Sequence, residues 1–184
     1  MGEWRTASLF VCLLLAAGGV QNTAPEFTMA LTGDSIITRS LSVYEEPAYL
    51  EMIEMIRGAD VAFTNLEVLL HDYEMAPAAR SGGTWMRADP KMADELVWAG
   101  FDLVAMANNH SGDYGVEGMV ATIKHTRDAG LVGAGTGGSL TSAREAKFLE
   151  TAKARVALIS MSSTITPHSV AGRSRDDIPP RPGL

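Results

Sequence analysis

The segment Ala107-Asn108-Asn109-His110-Ser111-Gly112-Asp113-Tyr114-Gly115 governs the interpretation of this chain. It directly follows the apolar run of residues 101–106, and a short apolar run bounded by turn residues is typical of a buried strand. The two asparagines and the histidine therefore stand where a strand ends and reaches solvent. In open α/β sheets, ligands bind beyond the carboxyl ends of the strands. We expect this edge of the sheet to carry the function, with Asp113 orienting or capping the loop.

Two earlier apolar runs end in the same way. Residues 27–32 are followed by Gly33-Asp34, and residues 60–64 by Asn65-Leu66-Glu67. Adjacent parallel strands lie roughly 5 Å apart, so their carboxyl ends can bring acids, an amide and an imidazole into one cluster. Oxygen donors with imidazole suit Mn, Mg, Fe or Zn, and one carboxylate can bridge two ions. We therefore expect a site for one or two divalent metal ions at this edge.

Each of these residues also has an ordinary structural interpretation. Asp34 after a glycine is typical of a turn residue or a helix cap, and Glu67 beside a loop is compatible with a solvated charge. Asn109 could satisfy buried backbone groups, and His110 could be a hydrogen-bonded core histidine. A functional interpretation is favoured because the polar residues after all three apolar runs fall at the same end of neighbouring strands.

The rest of the chain alternates between helical and extended patterns. Proline starts and glycine stops indicate helices at 48–57 and 90–99, a third helix is expected at 115–129, and residues 140–152 are expected to be partly helical. Residues 131–135 and 155–161 are predicted strands, while 71–84 and the stretch from 166 onwards are predicted loops. This alternation predicts an α/β fold with a mostly parallel sheet flanked by helices on both faces. The residues expected to face the sheet are Leu50, Ile53, Ile56, Met92, Leu96, Ala99, Val116, Met119, Val120 and Ile123.

Composition and charge narrow the possible partners. At 184 residues the chain suits one domain or a fraction of a larger one. The net charge of -7 argues against a nucleic-acid partner, which requires a basic footprint. It would also repel a polyanionic substrate unless a metal cation lies between the two.

The first 22 residues have the pattern of a secretory signal peptide. Arg5 precedes a short apolar core, which small residues follow. The apolar core is too short for a comfortable membrane span, and an uncleaved membrane anchor is the alternative. Either way, we expect a secreted or membrane-anchored, extracytoplasmic protein. Cys12, the only cysteine, lies in this segment, so the mature chain would have neither a disulfide nor a thiol nucleophile.

The other histidines show no ligand pattern. His71 and His125 have no nearby ligand-type partners in the sequence, and we expect both at the surface. His168 lies in the final loop, where the sequence assigns it no role. The chain contains no Ser-His-Asp order, no phosphate loop and no zinc-type Cys/His spacing.

With these motifs in place, the chain resembles the CapA family, the poly-γ-glutamate capsule synthesis proteins, whose domain is similar to the calcineurin-like metallophosphoesterases. The resemblance covers most of residues 26–184, and its most specific part is Asn-Leu-Glu followed by Ala-Asn-Asn-His-x-x-Asp-x-Gly. The matching residues are Gly33-Asp34, Asn65-Leu66-Glu67, Pro90, Gly100-Phe101-Asp102, residues 107–110, Asp113-Tyr114-Gly115, Gly133-Ala134-Gly135 and Ala143.

The resemblance implies roles for individual residues. Asp34, Glu67 and Asn109 would be metal ligands, with Glu67 in the place of the superfamily's bridging aspartate. His110 would match the catalytic histidine that protonates the leaving oxygen. Domains of this kind also take histidine ligands from a later half, so the chain resembles roughly the N-terminal half of a metallophosphoesterase-like α/β sandwich.

Three functional hypotheses follow. The first is a protein of poly-γ-glutamate capsule synthesis or export, in which a metal bridges the acidic protein and the acidic polymer, with membrane proteins of capsule synthesis as partners. The second is a secreted metal-dependent phosphodiesterase that uses His110 as general acid on a phosphoester substrate. The third is a degenerate fold that holds no metal.

Overall fold

The computed structural model describes residues 26–81 and 83–184. The predicted signal peptide or anchor, residues 1–22, and Cys12 lie outside the described residues. Within the described part of the chain, no helix combines the length and the apolar character needed to cross a membrane.

Helices and strands alternate along most of the chain. The strands are β1 (Met29–Ser35), β2 (Val61–Leu66), β3 (Leu69–Leu70), β4 (Arg87–Ala88), β5 (Leu103–Ala105), β6 (Val132–Ala134), β7 (Lys147–Glu150) and β8 (Arg155–Leu158). The helices are α1 (Pro47–Arg57), α2 (Met92–Ala99), α3 (Gly115–Asp128) and α4 (Leu140–Ala143), and a 3-10 helix spans Pro167–Ser169.

The central sheet has the strand order β1-β2-β5-β6, and all of its pairings are parallel. The predicted α/β fold with a mostly parallel sheet is therefore confirmed. The pairing of β1 with β2 shifts register between Leu31 and Asp34, and Asp34 then lies opposite Asn65. This irregularity belongs to the strand end that carries the predicted metal ligand.

One face of the sheet packs against helices α1, α2 and α3. In the hydrophobic core on this face, alternate sheet residues such as Ala62 and Val104 pack against buried helix side chains such as Ile53 and Leu96. Gly100 ends α2 in the left-handed conformation, with φ of 100°, which a residue with a Cβ rarely adopts. The chain can therefore turn directly from α2 into the central strand.

The opposite face is covered by a β-hairpin, although helices were predicted on both faces; its second strand, β8, confirms the strand predicted at 155–161. Strands β7 and β8 pair antiparallel, and Leu149, Val156 and Leu158 pack with Val61 and Leu103. The prediction of a partly helical segment at 140–152 holds only for the four residues of α4. After α4 the buried positions alternate, and a period of two favours a strand.

The inner face of α3 is more polar than the sequence pattern predicted. Val116 and Val120 are exposed, as is Leu50 on α1, while Gly118, Met119, Ala121, Thr122 and Thr126 are buried. The reason is a close approach of α3 to β3. The Thr122 hydroxyl accepts a hydrogen bond of 2.8 Å from the backbone N–H of Leu70. A Cβ at position 118 would lie 3.4 Å from Cδ1 of Leu69 on β3.

The prediction that His71 lies at the surface is wrong, because its side chain is 0% exposed. It follows β3, which pairs with β4 in a small parallel sheet that the sequence did not predict. The His71 ring packs edge-on against Tyr114, with ring centroids 4.3 Å apart. Its backbone carbonyl accepts a hydrogen bond from Nε of Arg87. His125, also predicted at the surface, is partly buried.

Candidate functional site

The carboxyl ends of β1 and β2 meet through a single asparagine. Nδ2 of Asn65 donates one hydrogen bond to Oδ1 of Asp34, at 2.9 Å, and another to Oε2 of Glu67, at 3.3 Å. Parallel pairing places Asn65 directly opposite Asp34, which explains why the amide reaches that carboxylate. Two carboxylates from neighbouring strand ends are thus oriented toward one another.

A second asparagine connects the end of β5 to the same network. Nδ2 of Asn108 donates to Oδ1 of Asn65, at 3.2 Å, and to the backbone carbonyl of Leu66, at 2.9 Å. Oδ1 of Asn108 accepts from the backbone N–H of His110, at 3.1 Å. Asn109 is the next residue on this turn and is partly buried. Asn65 therefore joins the ends of β1 and β2, and Asn108 joins the end of β5 to them.

Ser111 and Gly112 give the turn after β5 its shape. The Ser111 hydroxyl donates to the backbone carbonyl of Met106, at 2.6 Å, and accepts from the backbone N–H of Asn108, at 2.9 Å. Gly112 lies against the Ser169 side chain, where a Cβ would collide with the hydroxyl. Nε2 of His168 lies 3.0 Å from the Gly112 carbonyl oxygen. The final loop thus packs directly on the turn that carries the candidate site.

The His110 ring is held from both sides. Its Nδ1 lies 2.7 Å from Oδ2 of Asp113, and its Nε2 lies 3.8 Å from Oε1 of Glu67. Asp113 is itself buried and accepts a hydrogen bond of 2.7 Å from the backbone N–H of Met86. A carboxylate at Nδ1 fixes the orientation of the imidazole, and Nε2 is then the nitrogen that faces Glu67.

The electrostatics of the cluster favour a bound cation. Burial raises the pKa of Glu67, the adjacent Asp34 carboxyl raises it further, and only His110 acts in the opposite direction. A divalent cation between the carboxylates would relieve this repulsion, and carboxylate and amide oxygens are suitable donors for Mg, Mn, Fe or Zn. Asp34, Glu67 and Asn109 thus have the right chemistry to hold a metal ion. Within the described residues, no group of three or more His, Cys, Asp or Glu side chains is arranged for a metal by itself.

The sequence pattern identified the ends of these strands but assigned no individual role to Asn65 or Asn108, and it predicted only that Asp113 orients or caps the loop. Asn65 and Asn108 join the strand ends, and Asp113 holds His110. The position of the two asparagines in the sequence could have indicated their role, because each follows an apolar run just as Asp34 does. The buried state of Asp113 depends on Met86, which is distant in sequence, and no local pattern indicates it.

Known proteins resemble this chain over most of its length. A model of the bacterial capsule synthesis protein family PGA_cap matches residues 28–181. Two uncharacterized proteins of Sinorhizobium fredii, y4sH and y4uA, are each 39% identical over 166 residues, which is 89% of this chain and 36% of theirs. Capsule biosynthesis protein CapA of Bacillus anthracis is 24% identical over 184 residues, which is 91% of this chain and 44% of CapA.

The chain thus spans less than half the length of these curated relatives. The family match includes all three strand ends and the whole Asn-Asn-His turn. The chain therefore belongs to the bacterial capsule synthesis protein family, as its resemblance to CapA indicated.

Proposed function

We propose that this chain carries a divalent-metal site at the carboxyl edge of its central sheet, and that it belongs to a protein that works in poly-γ-glutamate capsule synthesis or export. The observation that carries the proposal is the Asn65 amide, which bonds to both the Asp34 and the Glu67 carboxylates. Asp34, Glu67 and Asn109 would hold one or two ions. Two acidic groups held together in an already acidic chain favour a cation that an acidic polymer can share.

A bound divalent cation would supply charge neutralisation and would polarise an oxygen of the substrate. The chain's own residues set up the surroundings. Asn65 and Asn108 keep the three strand ends in register, so that the ligands are preorganised. Asp113 holds the His110 ring with Nε2 on the side of Glu67. These contacts give the site one defined geometry, which both binding and catalysis require.

The second candidate function is a metal-dependent phosphodiesterase, and the His110–Asp113 pair specifically favours it. In this reaction a water molecule loses a proton to solvent as its oxygen forms a bond to phosphorus, and the bond from phosphorus to the leaving oxygen breaks. His110 donates its Nε2 proton to that oxygen and takes up a proton from solvent before the next turnover. Asp113, 2.7 Å from Nδ1, would support the charged imidazolium before the transfer.

One pair of assays separates the candidates in the full-length protein. The first measures retention of a γ-linked glutamate polymer with and without Mn²⁺, and the second measures turnover of a generic phosphodiester with Mn²⁺ added. Metal-dependent retention without turnover supports the capsule role. Turnover that is abolished in His110→Ala supports the hydrolase. A protein that binds none of Mn, Fe and Zn belongs to the third class, a fold that has lost its metal, and contradicts the proposal.

We also propose that the protein acts outside the cytoplasm, either secreted or membrane-anchored, beside the membrane proteins of capsule synthesis. The support for this is the pattern of Arg5 and the apolar run that follows it. The N-terminal sequence of the protein isolated from its host tests the location. A new N-terminus near residue 22 indicates secretion, an intact N-terminus in the membrane fraction indicates an anchor, and an intact N-terminus in the cytosol contradicts both.

A further inference from the structure

A second polar feature lies outside the metal cluster, in the chain's last segment. Residues 172–181 surround a cleft of about 520 Å³. Three arginines, Arg173, Arg175 and Arg181, line it together with Ser174, Ile178 and Pro179. Neither the sequence motifs nor the metal site accounts for this concentration of positive charge in an acidic chain.

The backbone that carries the arginines is a hydrogen-bonded hairpin. The backbone N–H of Gly172 donates to the carbonyl of Arg181, at 2.8 Å, and Arg175 and Ile178 exchange a reciprocal pair of backbone bonds. Gly172 lies so close to its partner that a Cβ there would be 3.1 Å from Cβ of Arg181. The arginines thus extend from a defined scaffold, which reduces the conformational entropy that a ligand must remove on binding.

These guanidinium groups have no carboxylate partner among the residues that the structure describes. Arg57, Arg87, Arg127 and Arg155 each pair with an acidic side chain there. Arg39, Arg80 and Arg144 also lack a carboxylate partner in the described part of the chain, but they are spread along the sequence and do not line the cleft. Arg181 uses only Nε, which donates to the backbone carbonyl of Val170. The acidic pair Asp176-Asp177 is at the tip of the hairpin and does not line the cleft. The cleft walls are therefore positively charged.

The base of the hairpin is attached to the loop that packs on the candidate site. Gly183 and Gly137 exchange two backbone hydrogen bonds of 2.9 Å, and the backbone N–H of Leu184 donates to the carbonyl of Ser169. The neighbouring residue His168 contacts the Gly112 carbonyl on the Asn-Asn-His turn. The arginine cleft and the metal cluster thus lie on segments in direct contact.

We propose that the arginine cleft binds carboxylate groups of an anionic polymer and holds that polymer beside the metal edge. This inference takes the acidic polymer from the proposed function, and it adds a subsite that binds that polymer. Guanidinium groups bind carboxylates through paired, charge-assisted hydrogen bonds, which lysine cannot reproduce. The remainder of the acidic surface would repel the polymer, so the cleft confines it to one path.

The test compares two variants that lose the same charge. Arg173→Gln/Arg175→Gln removes two positive charges from the cleft. Lys124→Gln/Arg127→Gln removes two from the last turns of α3, a helix of 14 residues whose other end carries the site. Binding of a fluorescent γ-linked glutamate polymer of defined length to the full-length protein is measured at several salt concentrations, and the thermal midpoint of each variant confirms folding.

We expect the cleft variant to bind the polymer at least about tenfold more weakly, with a shallower salt dependence, and the α3 variant to bind within about twofold of wild type. Equal loss in both variants, or no loss in either, overturns the cleft assignment. Retention of an oligonucleotide in place of the glutamate polymer also overturns it.

Mn²⁺ binding, measured on the same samples, reports the proposed function separately. Arginine-dependent polymer binding without any Mn²⁺ binding would support the cleft and contradict the metal site. Mn²⁺ binding by a wild-type protein that retains no polymer would contradict the cleft and the capsule role but leave the metal site intact.

Discussion

At the scale of single residues, His110 and Asp113 carry the chemical argument. The Asp113 carboxylate lies 2.7 Å from Nδ1 of His110 and also accepts the Met86 N–H, so it fixes the ring relative to a second segment of the chain. Glu67 lies on the other side of the ring. In the proposed hydrolase, Asp113 would act through His110 and would therefore be a positioning residue.

Replacement of Asp113 by asparagine is expected to affect turnover more than metal binding. The amide side chain of Asp113→Asn would keep an oxygen for the Met86 N–H but lose the charge that supports the imidazolium. Loss of such an outer partner typically costs about 10- to 100-fold in activity. We expect kcat for a generic phosphodiester to fall by that factor and Mn²⁺ affinity to change by less than about threefold. An unchanged kcat, in a preparation whose wild type turns over, would contradict the assigned role.

His71 provides a pH prediction that does not involve the metal ligands. Its ring is buried and packs against Tyr114, and within the described residues neither ring nitrogen has a hydrogen-bond partner. Burial lowers the pKa of His71 below its ordinary 6.5; Glu74 and Asp72 act against this, whereas Arg87 and His125 reinforce it. The unfolded chain therefore takes up a proton at a higher pH than the folded chain does.

It follows that folding stability falls as the pH drops below about 6.5, since protons then favour the unfolded state. His71→Phe keeps an aromatic ring but cannot titrate, so its stability should fall less over the same range. Urea unfolding of both proteins at several pH values between about 5 and 7.5 measures the difference. Glu67, whose pKa is raised, changes the stability in the opposite direction as the pH falls. It is present in both proteins, so its contribution cancels when their free energies of unfolding are subtracted. Parallel curves for the two proteins would refute the prediction.

At the scale of secondary-structure elements, the contact between α3 and β3 positions the start of α3 beside the candidate site. The Thr122 hydroxyl accepts from the Leu70 N–H and donates to the Gly118 carbonyl. Thr126, one turn later, donates to the Thr122 carbonyl but accepts no backbone N–H in the described hydrogen bonds. The two threonines are both buried and differ mainly in this acceptor role.

Thr122→Val would leave the buried Leu70 N–H without its acceptor, whereas Thr126→Val would remove only a donor. An unsatisfied buried donor costs about 1–3 kcal/mol, and we expect Thr122→Val to lose that much free energy of unfolding. Thr126→Val should lose about 1 kcal/mol or less. Urea denaturation of both variants measures the difference, and equal losses would show that the acceptor role is unimportant.

The elements themselves differ in how well sequence patterns predicted them. Helix α2 was predictable because Met92, Leu96 and Ala99 share one apolar face and Gly100 ends it. The inner face of α3 was not, because hydrogen bonding and close packing put Gly118 and Thr122 inside in place of valines. Strand β7 was missed because its four residues are too few for the periodicity to stand out, whereas β8 lies within the strand predicted at 155–161.

At the scale of the whole molecule, charge would determine how the protein meets the acidic polymer that we propose as its partner. The chain carries a net charge of -7, and two carboxylates converge at the candidate site. The strand ends could be predicted from sequence because parallel strands share one carboxyl edge. The arginine cleft could not, since the pairing of Gly172 with Arg181 gives no recognisable pattern.

We expect Mn²⁺ to strengthen polymer binding in the wild-type protein by at least about tenfold at low ionic strength, because the cation reverses local repulsion. In Glu67→Gln this enhancement should be largely lost. Fluorescence titration with and without Mn²⁺ gives both values, and Asp128→Asn serves as the control because Asp128 is exposed at the far end of α3. Enhancement of equal size in Glu67→Gln would locate the cation elsewhere.

The claim on which the rest depends is that Asp34 and Glu67 hold one cation between them. Its most direct test is the Mn²⁺ content of the full-length protein after equilibrium dialysis, compared with that of Asp34→Asn/Glu67→Gln. We predict one or two ions per wild-type chain, a loss of that binding in the double variant, and full binding in Asp128→Asn. A wild-type protein that binds no Mn²⁺, Fe²⁺ or Zn²⁺, or a double variant that binds as much as wild type, would contradict the account.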